Sequence, residues 1–80
     1  NFPNPFNPVT SINFDIAKST QVKLSVYDIN GKLVRELLNS ILNAGSYSYS
    51  LNAADLHSGV YFYRIETNGF TDAKKFMLIK

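Results

Sequence analysis

Asp55, His57 and Ser58 sit in one short run, Asp55-Leu56-His57-Ser58, and are the residue types of a nucleophilic triad. Such a triad needs an oriented base, a nucleophile within hydrogen-bond reach and oxyanion donors, all converging in space. Neighbours in a single loop do not reach that geometry. The run is therefore read as a turn in which Asp55 and Ser58 bond nearby backbone. His57 is the only histidine and there is no cysteine, which excludes multi-histidine and thiolate zinc sites. Asp28-Ile29-Asn30-Gly31 looks like the start of a calcium loop. The twelfth position of such a loop must supply a bidentate glutamate, and here it is Asn39. A hairpin turn accounts for the fragment. No cofactor and no metal are expected, and the chain is read as a non-enzyme.

Two further groups could recognise a partner. Tyr47 and Tyr49, with Tyr61 and Tyr63, could form an aromatic platform for a sugar. Their alternation with serine and other residues instead predicts rings that fill one buried face. Lys74 and Lys75 precede the apolar run Phe76-Met77-Leu78-Ile79 and end in Lys80. They read as a solvated start to a strand that also discourages edge pairing.

The elements that must carry these residues are strands. Ile12, Phe14 and Ile16 share one face of a strand over 11–16, because strand side chains have period two. Over 21–26, Val22, Leu24 and Val26 point inward while Gln21, Lys23 and Ser25 point outward. Asn30-Gly31 predicts a type I′ hairpin. In Lys32 to Leu42 the apolar positions 33, 34, 37, 38, 41 and 42 have helical spacing. The hairpin before it and the strands around it favour a strand through about position 38, followed by a loop. Tyr47, Tyr49 and Leu51 alternate with serine and predict a strand over 46–51. A turn-rich connection follows, with Leu56 as an inward plug. Residues 60–65, β-branched and aromatic, form a strand whose start is covered on both faces. Asn68-Gly69 predicts a second hairpin, so that Gly69→Val should meet a positive φ and destabilise. Phe70 to Lys80 returns as the last strand.

Short strands separated by regular turns predict a small all-β, antiparallel β-sandwich of about six or seven strands. All three prolines fall in the first eight residues. Proline fixes φ and removes a donor, so residues 1–9 are read as a stiff strap leading from an upstream domain, and 10–80 as the sandwich. Phe2 and Phe6 are apolar enough to pin the strap. With no cysteine, the domain relies on the burial of its five Tyr and six Phe. The net charge of +2 arises from scattered lysines and arginines interleaved with acids, whereas nucleic-acid binders concentrate basic charge on one face. No nucleic-acid partner is expected. No apolar run approaches the roughly 20 residues of a membrane span. Any export signal is expected upstream, in a longer precursor.

Four segments together resemble a known family. Phe2-Pro3-Asn4-Pro5-Phe6-Asn7-Pro8 is similar to the Pro-Asn-Pro opening of the C-terminal sorting domain of type IX secretion substrates. Val26-Tyr27-Asp28-Ile29-Asn30-Gly31-Lys32-Leu33-Val34 resembles that family's hairpin of the form V-Y-D-x-x-G-x-x-V. Ser58-Gly59-Val60-Tyr61-Phe62-Tyr63-Arg64-Ile65 resembles its Gly-x-Tyr strand, and Lys74 to Lys80 its terminal basic-then-apolar strand. The resemblance implies an immunoglobulin-like sandwich at the C-terminus of cargo secreted by a diderm bacterium. It implies passage through the periplasm, then an outer-membrane translocon, with a sortase-like surface peptidase removing the domain and cargo released or held at the cell surface. Carried over onto this chain, the recognition residues are Gly59, Tyr61, Lys74, Lys75, Phe76, Met77, Leu78, Ile79 and Lys80.

The competing expectation is a non-catalytic immunoglobulin-like spacer, or an accessory and carbohydrate-binding module of an extracellular enzyme. Spacers share the Pro-Asn-Pro opening and the hairpin. The terminal strand ending at Lys80 favours the signal.

Overall fold

The computed structural model describes residues 9–52 and 54–79. Residues 1–8 of the proline strap, with Phe2 and Phe6, lie outside the described residues, as do Ala53 and Lys80, while Val9 already belongs to the first strand. Six strands follow in chain order: β1 (Val9–Ile16), β2 (Thr20–Asp28), β3 (Leu33–Leu42), β4 (Gly45–Asn52), β5 (Gly59–Glu66) and β6 (Thr71–Leu78). They form two antiparallel sheets, one of order β1-β4 and one of order β3-β2-β5-β6. The fold is the expected all-β sandwich with six strands, and the described residues contain no helix.

The core sits between the sheets. Ile12 and Ile16 of β1 and Leu51 of β4 meet Val22, Leu24 and Val26 of β2, Tyr61 and Ile65 of β5 and Leu78 of β6, all buried. Each set follows the period of two within its strand. Leu56 packs against this core from the β4–β5 connection, as expected, and so do Tyr47, Tyr49 and Tyr63. The phenol of buried Tyr61 donates to the carbonyl of His57 at 2.7 Å. A ring that is buried with its hydroxyl satisfied ties the β4–β5 connection to the start of β5. It resembles the tyrosine corner of immunoglobulin sandwiches.

The helical-looking spacing in β3 has a specific origin. The strand does not stop near position 38 but runs to Leu42 before reversing at Asn43-Ala44. Its register against β2 shifts twice, so that Leu38 opposes Leu24 while Glu36 opposes Ser25, and Arg35 opposes Val26 while Leu33 opposes Tyr27. Leu37 and Val34 are the extra residues. Each bulge resets the inward face by one position, and Val34, Leu37, Leu38 and Leu42 all reach the core. Two bulges in a strand thus produce apolar steps of three and four residues.

Ser25 departs from the expected outward, solvated position: it is fully buried, and its hydroxyl has no hydrogen-bond partner. It does point away from the core, since Leu24 and Val26 take the inward face. β2 is an interior strand, however, with Glu36 of β3 and Arg64 of β5 directly opposite Ser25. Arg64 lies over the Tyr27 ring, 4.8 Å from its centre, and donates to the Tyr27 hydroxyl at 2.8 Å. The long side chains of the outer face roof over the small one.

Both predicted hairpins form, but with different turns. In the first, the Gly31 N–H donates to the Asp28 carbonyl and the Asp28 N–H to the Lys32 carbonyl, each at 2.9 Å. The central pair is therefore Ile29-Asn30 rather than Asn30-Gly31. Gly31 follows at φ +83°, as in a three-residue loop ending in a left-handed residue. Gly69, by contrast, lies outside the left-handed region, and nothing approaches within 4 Å of where its Cβ would stand. The expectation of strain at Gly69 therefore moves to Gly31. In urea unfolding, Gly31→Val should lose about 1–3 kcal/mol, whereas Gly69→Val should stay within about 0.5 kcal/mol of the parent.

Candidate functional site

The Gly-x-Tyr segment and the terminal apolar segment, far apart in sequence, lie side by side. β6 is an edge of the four-stranded sheet, paired among the described residues only with β5. The register sets Gly59 opposite Leu78, Val60 opposite Met77, Tyr61 opposite Phe76, Phe62 opposite Lys75 and Tyr63 opposite Lys74. Gly59, Tyr61 and the described part of the terminal strand thus form one end of one hairpin. Lys80 lies outside the described residues.

Period two divides these residues by face. Phe76 and Leu78 share the core face with Tyr61. Leu78 is buried, and the Phe76 ring stacks on Tyr61 with centres 5.9 Å apart. Such pairs add to the area that they bury, so these three side chains hold the strand in place. Lys75 and Met77 point away from the core, and Met77 is 65% exposed, as is Ile79 at 72% beyond the strand end. Lys74 stands exposed on the core side of the edge, opposite Tyr63. The adjacent lysines therefore serve opposite faces. Neither joins an ion pair among the described residues, where the pairs are Lys23–Glu36, Arg35–Asp55 and Arg64–Glu66.

Gly59 opens β5 at φ +157° with nothing within 4 Å of an added Cβ. Its requirement is backbone conformation and not space. Among the described residues no strand pairs with the outward side of β6, and an open strand edge is the template for adding a strand. The arrangement can therefore bind an extended peptide through main-chain bonds, flanked by Lys75, Met77 and Ile79.

Sequence reasoning missed Val60. With Lys75, Phe76 and Met77 on the facing strand, Val60 lines a shallow depression on the outer sheet face. The lack of clean alternation at the start of β5 was the available signal. It also missed Arg35, which bridges the sheets by donating to the Asn52 carbonyl at 2.8 Å and to the Asp55 carboxylate at 2.5 Å. A single arginine in β3 carries no sequence mark of that reach.

The other candidates resolve as structure. The Asp55 carboxylate is held by Arg35, away from any role beside His57. The Asp28 carboxylate accepts from the N–H groups of Asn30 and Lys32 at 2.9 and 3.0 Å, closing its own hairpin. Among the described residues, no three His, Asp or Glu side chains are grouped to hold a metal ion. Of the four tyrosines, Tyr61 is buried and the others pack partly buried on the core, so they make no open platform. A cleft of about 380 Å³ at the far end of the sandwich, between the β1–β2 and β5–β6 turns, contains no residue of the terminal strand from Lys74 onward.

No curated protein and no solved structure matches the chain. A family model does match, over residues 1–80: the secretion system C-terminal sorting domain of the type IX route. The β6 edge and its Gly59–Tyr61 neighbour are thus the terminal strand pair of a sorting domain and not of a catalytic one, and the chain belongs to that family.

Proposed function

We propose that this domain carries its cargo through the outer-membrane translocon of the type IX route and delivers it to the cell surface. The translocon or a carrier subunit reads the β6 edge, with Lys75, Met77 and Ile79 as the side chains offered and Gly59, Tyr61, Phe76 and Leu78 as the residues that hold them. Lys74 marks the other face of the same edge. Lys80 completes the segment carried over from the resemblance. A sortase-like surface peptidase then acts on the delivered cargo, upstream of the domain.

The observation that carries this reading is the match of the sorting family along the chain together with an edge strand whose outward face exposes Lys75 and Met77, with exposed Ile79 just beyond its end. An enzyme would need convergent polar groups in a cleft, and the exposed residues of β6 flank a strand edge instead.

The test is a fusion of residues 1–80 to a periplasmic reporter in a cell with a working type IX route. The reporter should appear outside the cell, and it should stay in the periplasm when the translocon is deleted. Retention of a folded fusion in the competent cell would rule out a sufficient signal and favour the spacer reading. A spacer would instead change cargo stability or reach when removed, with export intact.

A further inference from the structure

We propose that Asn68 is a self-modifying site, converting to aspartate and isoaspartate in the folded domain faster than Asn30 in the same dipeptide context. Both residues precede glycine, both dipeptides are exposed, and both lie in hairpin turns. In each, the glycine amide nitrogen can attack the asparagine side-chain carbonyl carbon. The new C–N bond closes a five-membered succinimide and the side-chain nitrogen leaves as ammonia. Water then opens the ring at either carbonyl, giving aspartate or isoaspartate. No oxidant, reductant or cofactor is consumed. Glycine favours the attack because no Cβ stands beside its nitrogen.

The two turns treat that nitrogen differently. The Gly31 N–H is committed to the Asp28 carbonyl at 2.9 Å. The turn around it is held by two more bonds from Asn30 and Lys32 to the Asp28 carboxylate. That anion also opposes loss of the amide proton, which attack requires. Among the described residues the Gly69 N–H has only the Thr67 hydroxyl, at 3.2 Å, and the Phe70 N–H reaches the same oxygen at the same distance; that hydroxyl in turn donates to the Phe70 carbonyl, and the Asn68 N–H to the Thr20 hydroxyl, each at a long 3.4 Å. One hydroxyl oxygen shared by two donors at 3.2 Å is a weaker hold than a dedicated carbonyl at 2.9 Å. Among the described residues no anion is bonded within that turn: its main-chain closure is the Thr67 N–H to the Phe70 carbonyl at 2.9 Å.

The position of Asn68 gives the reaction a consequence. Isoaspartate routes the main chain through the former side chain and lengthens it by one carbon. The two-residue loop between Thr67 and Phe70 sets the β5–β6 register from Glu66–Thr71 onward. A longer loop with a new negative charge loosens β6 from its first pair. Under the sorting reading, conversion would age the strand that the secretion machinery reads. This last step rests on that reading, whereas the chemistry at Asn68 does not.

The experiment follows the purified chain at mildly alkaline pH, with tryptic mapping over time. Cleavage after Lys23 and Lys32 isolates Asn30 in Leu24–Lys32, and cleavage after Arg64 and Lys74 isolates Asn68 in Ile65–Lys74, with no other asparagine in either peptide. Fragmentation that distinguishes isoaspartate identifies the product. In the folded chain the Asn68 peptide should convert roughly fivefold faster, the factor expected from one net hydrogen bond. In urea, where both turns are lost, the two rates should converge. Thr67→Val should speed conversion at Asn68, and Gly69→Ala should slow it; the added Cβ meets nothing within 4 Å. Equal or faster conversion at Asn30 in the folded chain would overturn the proposal. So would a rate ratio that urea leaves unchanged. Amide exchange over Thr71–Leu78 should rise in the isoaspartate form, and an unchanged rate there would remove the consequence for β6.

Discussion

Ile65→Ala and Tyr61→Ala should each remove about 2–5 kcal/mol of folding stability, measured by urea unfolding of the isolated chain. Both residues are almost wholly buried on the core face of β5. Truncating either leaves a cavity between the sheets that a short, two-layer domain cannot readily close. Tyr61 adds two further ties, its stack on Phe76 and its bond to the His57 carbonyl. Tyr61→Phe should therefore lose only about 0.5–1.5 kcal/mol, the share of the hydroxyl. Because a domain of this size has little stability to spare, Ile65→Ala should populate the unfolded chain measurably at growth temperature. A cost near zero for either alanine variant would place that side chain outside the core and contradict the sandwich register.

Deleting Lys74 to Lys80 should abolish export of a fused reporter. The deletion also removes buried Leu78 and the ring partner of Tyr61, so lost export could reflect lost folding. Lys75→Glu combined with Met77→Ser separates the two. Both side chains are exposed on the outer face of β6, and surface changes of this kind shift stability by about 0.5 kcal/mol or less. Export should fall several-fold while urea unfolding stays close to the parent. Full export by the double variant would remove Lys75 and Met77 from the recognised surface. Full export by the deletion would end the terminal-strand reading altogether.

The alternating segments were legible because a half-buried strand writes its period into the chain. Ile12 and Ile16, Val22, Leu24 and Val26, and Tyr47, Tyr49 and Leu51 all face where their spacing places them. The terminal strand pair does not alternate cleanly and was legible from its β-branched and aromatic residues, the Asn68-Gly69 turn and the family resemblance. What stayed hidden depends on partners distant in sequence. The bulges at Leu37 and Val34 exist only in the register against β2, so β3 kept a spacing that also suits a helix. Ser25 looked solvated because its roof comes from β3 and β5. The two Asn-Gly steps were indistinguishable as dipeptides, and only Asp28 in one turn and Thr67 in the other set them apart.

The one-sided pairing of β6 also governs how the domain answers force. Among the described residues β6 is bonded to β5 alone, so a load drawn across the sheet at Leu78 meets the rungs one after another, Gly59–Leu78 first and Glu66–Thr71 last. Interior strands, gripped on both flanks, share such a load among many bonds at once. β6 is therefore a mechanically softer seam than the interior strands β2 and β5. Peeling it also withdraws Leu78 and Phe76 from the core, so a pull at this edge reaches the interior packing before it loads β2.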